Sequence, residues 1–206
     1  MGLVKAGKKQ ALPSAPAEVE AGDPLAMLGD ADPAQRRRAA HALAGRAEAV
    51  QPLCARLAAE PDPAAREAIL TALVRTGTAE AVAGLLPFLH SEDASLRNGA
   101  LESLQQMPPA IVGPEVEPLL ADEDPDVRIF AAQLAGRIVH PMRLAWLAEL
   151  VERDPHVNVC LTAVDALVET GDPQALDSLE RLAGRFPDDP FVAFSVEAAR
   201  RRFHEN

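Results

Sequence analysis

The chain has 206 residues, 48% hydrophobic but only 3% aromatic, with no Tyr, so its core must be built mainly from Ala, Leu and Val. Ala and Leu favour helices, and β-sandwiches or barrels need more β-branched and aromatic residues, so the composition points to an all-α fold. A formal net charge of −11 argues against general affinity for phosphate backbones or anionic lipid, and no run of eighteen apolar residues offers a membrane span.

Residues 1–22 hold all three lysines, Lys5, Lys8 and Lys9, and the segment Leu-Pro-Ser-Ala-Pro, without amphipathic periodicity. They lack the apolar core of a signal peptide and read as a disordered N-terminal tail. A solenoid domain is expected over 23–206, beginning with a stub helix at Pro24–Leu28.

From there one phrase recurs: DPAQR at Asp32, DPAAR at Asp62, DASLR at Asp93, DPDVR at Asp124, DPHVN at Asp154 and DPFVA at Asp189. Self-similarity at a period near 31 is the mark of a repeat array. Asp is a good N-cap, because its carboxylate accepts from unpaired first-turn amides and offsets the helix dipole. Pro suits the first helical position, where its missing N–H costs nothing. Each phrase therefore starts a helix. The apolar sets Val127, Ala131, Leu134, Ile138 and Val192, Val196, Ala199, Phe203 each trace one buried stripe.

A returning second helix is expected in each unit, over Val50–Leu57, Val82–Leu89, Val112–Leu120, Leu144–Val151 and Leu176–Leu182. Breaks at Gly77, Pro108-Pro109, Pro141 and Gly171 with Pro173 separate most of these from the first helices; only Gly45 marks that junction in the first unit. One hairpin cannot bury its apolar face alone, whereas stacked neighbours can.

The stretches Leu25–Gly45 (LAMLGDADPAQRRRAAHALAG) and Leu119–Gly136 (LLADEDPDVRIFAAQLAG) resemble the HEAT repeat family, in particular its short bacterial form, also called PBS-lyase HEAT-like repeats. The resemblance covers about residues 25 to 205. It implies an all-α, right-handed α-α superhelix of about five and a half hairpins. It also implies that the recurrent charges are architecture: Asp32, Asp62, Asp93, Asp124, Asp154 and Asp189 as caps, with Arg36, Arg66, Arg97 and Arg128 as a ladder bonding each repeat to the next. Asn158 and Ala193 stand where the ladder arginine is expected in the last two units.

The chemistry legible in the sequence is sparse. The five histidines form no HExxH or other ligand motif, and no phosphate loop or nucleophile elbow occurs. HEAT-like deoxyhypusine hydroxylases hold iron with several His-Glu pairs, a set this chain lacks. Cys54 and Cys160 have no CxxC or metal spacing and read as reduced core thiols of a cytoplasmic protein. The arginine triplets Arg36–Arg38 and Arg200–Arg202 sit in an acidic field and turn in different directions around a helix, so no nucleic-acid channel is expected.

The expectation is thus a non-catalytic scaffold or adaptor, without cofactor or metal, a monomer that binds another protein. In HEAT solenoids the second helices line the concave face. Superposing the units by period points Leu53, Leu85, Val116, Leu147 and Leu179 inward and Arg56, Phe88, Glu115, Trp146 and Glu149 outward. Trp146, the one tryptophan, is then the expected hot spot. Some relatives within the family assist phycobilin lyases and others accompany bacterial signalling systems. A bilin-lyase accessory or catalytic subunit is the alternative.

Overall fold

The computed structural model describes residues 22–173 and 175–205; the expected tail lies outside them except for Gly22. Among the described residues there are twelve α-helices and no strand. A short α1 (Pro24–Met27) precedes six first helices: α2 (Pro33–Leu43), α4 (Pro63–Thr76), α6 (Ala94–Gln106), α8 (Pro125–Arg137), α10 (Val157–Thr170) and α12 (Pro190–Glu205). Between them run the second helices α3 (Val50–Ala59), α5 (Ala79–Leu85), α7 (Pro109–Leu120), α9 (Arg143–Arg153) and α11 (Ala175–Arg185). First helices pack on first helices and second on second from unit to unit, with α1 covering α2. The result is an all-α solenoid of five hairpins and a half.

The caps explain where the first helices begin. Asp32, Asp93 and Asp124 accept from the amides of Ala34, Ser95 and Asp126, each at 2.9 Å. Asp62 accepts from Ala65 N at 2.9 Å, and Asp189 from Phe191 N and Val192 N. Gly77 and Gly171 end α4 and α10 in the left-handed region, at φ 56° and 68°, where an L side chain would be strained.

Asp154 corrects the sequence reading. It is the C-cap of α9, and the N-cap of α10 is His156, two residues later. Its Oδ1 accepts from His156 N at 2.8 Å, as Asp30 accepts from Asp32 N, Glu60 from Asp62 N and Asp122 from Asp124 N. Asp154 thus belongs to a second recurrent set, an acid two residues before the cap in four of the six units; Ser91 and Pro187 hold that place in the other two. In the corrected register Cys160, not Asn158, occupies the ladder-arginine position of unit five.

The second helices are less regular, and prolines break into those of units two and three. Unit one enters α3 through a 3-10 turn at Ala47–Ala49, and unit two leaves α5 through a 3-10 segment at Leu86–His90 that contains Pro87 and Phe88. Pro114 and Pro118 lie inside α7. The core runs unbroken between the two layers: Leu53, Leu85, Val116, Leu147 and Leu179 are all fully buried. No helix among the described residues is long and apolar enough to cross a membrane.

Candidate functional site

The recurrent charged residues sit along one inter-unit seam. Arg36 makes a two-point contact with the buried Glu60, Nε to Oε2 at 2.8 Å and Nη2 to Oε1 at 2.6 Å. Its Nη1 donates to the carbonyls of Asp30 and Ala31. Arg128 repeats the arrangement on Asp154 at 2.7 and 3.2 Å, with Nη1 on the carbonyls of Asp122 and Glu123. Arg66 reaches the next cap itself, Asp93 Oδ2 at 2.8 Å, because Ser91 stands where the preceding acid would be.

Arg97 makes no such reach. It donates to Ser91 O within its own unit, while the acid of the following unit, Asp122, faces His90 Nε2 at 3.4 Å. The ladder therefore has side-chain rungs at Arg36, Arg66 and Arg128. Its partners are Glu60, Asp93 and Asp154 rather than one uniform set of Asp-Pro aspartates. The Arg36 guanidinium, first among several contacts, holds the Glu60 carboxyl well below the usual range, at about 2.

Unit five supplies its guanidinium from elsewhere. Arg185, at the end of α11, donates to Val151 O and Asp154 O, each at 2.5 Å, and lies 3.6 Å from Cys160 Sγ. Burial pushes the Cys160 thiol above its ordinary pKa, and Arg185 opposes that rise. Both cysteines are free; Cys54 is half-buried and its thiol is also pushed up by burial.

The five residues expected to point outward are placed differently from one another. Trp146 is buried, 7% exposed, with its ring stacked on His140 at 4.5 Å between centroids and 8° between planes. The expectation of an outward tryptophan is corrected here: the bend at Pro141 folds His140 back over the indole. Arg56 is half-buried and donates its Nε to Glu60 at 2.9 Å, inside the seam. Phe88 is half-buried and packs on the core, and Glu115 is half-buried. Glu149 is exposed and meets Arg153 at 3.3 Å. Of the five, Trp146 and Glu149 come together, lining a crevice of about 320 Å³ with Glu117, Leu120, Leu150 and Arg153.

A groove that sequence reasoning missed lies on the opposite layer, across the first helices. Its volume is about 460 Å³, and α6, α8 and α10 line it with Asn98, Glu102 and Gln105, then Gln133 and Arg137, then Thr162, Asp165 and Glu169. Its floor is narrow because small residues face each other. A Cβ added at Gly136 would sit 2.8 Å from Ala166 Cβ, so α8 and α10 approach too closely there for anything larger. Three carboxylates against one arginine give the groove an acidic cast. Asp165, accessible yet recessed, has its pKa raised by desolvation first and by Glu169 second.

In the corrected register the ninth residue after each cap lies on this layer: His41, Thr71, Glu102, Gln133, Asp165 and Ala198. That position does not repeat, whereas the arginine four residues after the cap does. Variation on a recurrent scaffold was the available signal, and the two-residue misregister at unit five hid it. Among the described residues no group of three or more His, Cys, Asp or Glu could hold a metal ion.

Stacked hairpins, a seam of inter-unit ion pairs and an unrepeated groove define an α-solenoid repeat protein. The chain belongs to the HEAT repeat family: the family model described as HEAT repeats matches residues 24–105 and 114–199. The chain is also similar to the bilin biosynthesis protein PecE of Mastigocladus laminosus, with 31% identity over 157 residues. That match covers 74% of this chain and 57% of the relative, so the chain spans little more than half the relative's length. Among solved structures it is similar to an engineered protein (18% identity, TM-score 0.44, 88% of this chain and 95% of that one). Human deoxyhypusine hydroxylase in complex with glycerol is also similar, at 16% identity and TM-score 0.46, over 89% of this chain and 84% of that one.

Proposed function

We propose that the chain is a non-catalytic protein-binding scaffold of the cytoplasm, presenting the α6–α8–α10 groove to an extended segment of another protein. The observation behind this reading is that the groove is recessed, spans three consecutive units, and is lined by side chains that do not recur from unit to unit. Architecture explains the repeated residues and leaves these unassigned. The acidic lining favours a partner segment bearing Lys or Arg, with complementary charge governing encounter and register.

Affinity purification with the charge-reversed variant Glu102→Lys/Asp165→Lys/Glu169→Lys tests it, with Glu48→Lys as an exposed control away from the groove. Loss of the wild-type partners with the triple variant alone is expected. Partners retained undiminished by that variant would place the binding face elsewhere, and the Trp146–Glu149 crevice would be examined next with Glu149→Lys.

The similarity to a bilin biosynthesis protein supports a second reading, an accessory role in bilin attachment. Visible absorbance on the purified chain after mixing with a bilin, surviving gel filtration, would favour it over the scaffold reading. Clean spectra count against it.

A further inference from the structure

The groove across the first helices extends toward the N-terminal end of the stack. A second recess of about 230 Å³ lies between α4 and α6, and Glu102 lines both it and the larger groove. Its floor is equally close-set: a Cβ added at Gly99 would stand 2.7 Å from Leu70 Cδ1. Together the two recesses run along one layer from α4 to α10. The exposed charges beside them are Glu67, Glu102, Asp165 and Glu169 against Arg75 and Arg137. Among the described residues none of these four carboxylates is in a salt bridge, whereas Glu60, Asp93, Glu149, Glu152, Glu180 and Glu197 all are. Burial first, and Glu169 second, push the Asp165 carboxyl above its ordinary pKa, so a cation seated between the two acids would relieve their repulsion.

One segment of the chain itself matches this run in charge. Its only lysines are Lys5, Lys8 and Lys9, all upstream of Gly22, where the described residues begin. At about 3.3 Å per residue, Lys9 can lie up to about 43 Å from Gly22 and Lys5 up to about 56 Å. Helix α1 packs on α2, α2 on α4 and α4 on α6. Spacings of about 8–10 Å put α6 about 20 Å and α10 about 40 Å from α2, within reach of the lysines. Glu18 and Glu20, the acids of the same segment, stay within about 13 Å of Gly22 and stop short of α6. Tethering raises the local concentration of such a segment to about the mM range, so contacts too weak to hold a free peptide are filled in cis.

We propose that Lys5, Lys8 and Lys9 dock in cis along the α4–α10 run, which makes the N-terminal segment a competitor of the partner. The proposal rests on the reading of that groove as a seat for a cationic segment, and it adds the regulation of the same site.

Zero-length carbodiimide coupling of the whole chain, alone and at low ionic strength, tests the proposal, because it joins an ammonium to a carboxylate only where the two touch. Peptide mass spectrometry should place the lysine links on Glu67, Glu102, Asp165 or Glu169. These links should be at least about tenfold more frequent than links to Glu48 or Glu92, exposed acids outside the run. Links spread evenly over the exposed acids overturn the proposal, and so do links that form only between copies in a mixture of isotope-labelled and unlabelled chain. Neither result touches the partner reading, which charge reversal in the groove tests by itself. Lysines linked in the groove, with partners retained by the reversed variant, would uphold the cis contact and sink the partner reading.

Discussion

Replacing Glu60 by Gln removes the charge from the most heavily bonded rung while keeping its shape. The wild-type carboxylate is inaccessible to solvent and accepts from Arg36 Nε and Nη2, Arg56 Nε and Asp62 N. Those contacts, the Arg36 bond first, lower its pKa from 4.5 to about 2. A displacement of that size corresponds to about 3 kcal/mol of preference for the ionised folded state. The figure agrees with the about 3–5 kcal/mol typical of removing one partner from a buried ion pair.

The sign follows from the direction of the shift. A depressed carboxyl pKa contributes stability that is complete above the unfolded value and is lost as pH falls from about 4.5 toward about 2. Glu60→Gln should therefore cost about 3 kcal/mol at pH 7 and only about 1 kcal/mol near pH 3, where the wild type has already lost most of the benefit. Urea denaturation followed by ellipticity at both pH values measures the difference. A variant as stable as wild type at pH 7 would refute the reasoning, as would a cost that does not shrink on acidification.

Arg185→Met should destabilise by about 1–3 kcal/mol, because the carbonyls of Val151 and Asp154 lose their donor, and Cys160→Arg in the same chain should recover part of it. Emission from the lone Trp146, one helix away, reports the change; equal midpoints for wild type and Arg185→Met would count against the substituted rung. Gly136→Ala should cost about 1–3 kcal/mol by wedging α8 from α10, whereas Gly184→Ala, with open space at its Cβ, should be neutral or gain up to about 1 kcal/mol. Thermal melts that rank the two alike would show the α8–α10 approach to be loose. Asp165→Asn should raise the thermal midpoint at pH 7, since burial and Glu169 raise that carboxyl's pKa and its charge is therefore unfavourable in the folded state. The gain should vanish below the ordinary carboxylate range, and a gain independent of pH would not come from this charge.

The first helices were legible because a cap and an apolar stripe, with a proline at every one but Asp93, agree locally, so Asp32, Asp62, Asp93, Asp124 and Asp189 mark their starts without tertiary information. Asp154 deceived because the pair Asp-Pro also fits the position before a cap, where a carboxylate accepts the cap residue's amide. Reading Asp30, Glu60 and Asp122 as a recurrent set would have placed it correctly. Trp146 was misdirected because adjacent positions on a helix differ by about 100°, and the ring that covers it comes from a loop with no periodicity. The groove was illegible because repeat alignment identifies which residues vary, not which layer is recessed. That depends on close approaches such as Gly136 to Ala166, made by pairs 30 positions apart.

The substituted rung shows what the ladder conserves physically. A loop carbonyl buried between two units needs a donor, and the chain position of that donor is immaterial. In units one to four the arginine four residues after the cap serves the carbonyl of the residue two before it, at Asp30, Glu60, Ser91 and Asp122. In unit five Cys160 cannot, and Arg185 reaches back from α11 to serve Asp154 O instead. The exchange has a mechanical consequence. Arg36, Arg66 and Arg128 also tie a first helix to the acid that precedes or caps the next one, whereas Arg185 ties α11 to the end of α9, within the second-helix layer. No arginine rung then joins α10 to α12, and apolar contacts through Val192, Val196 and Ala199 carry that step.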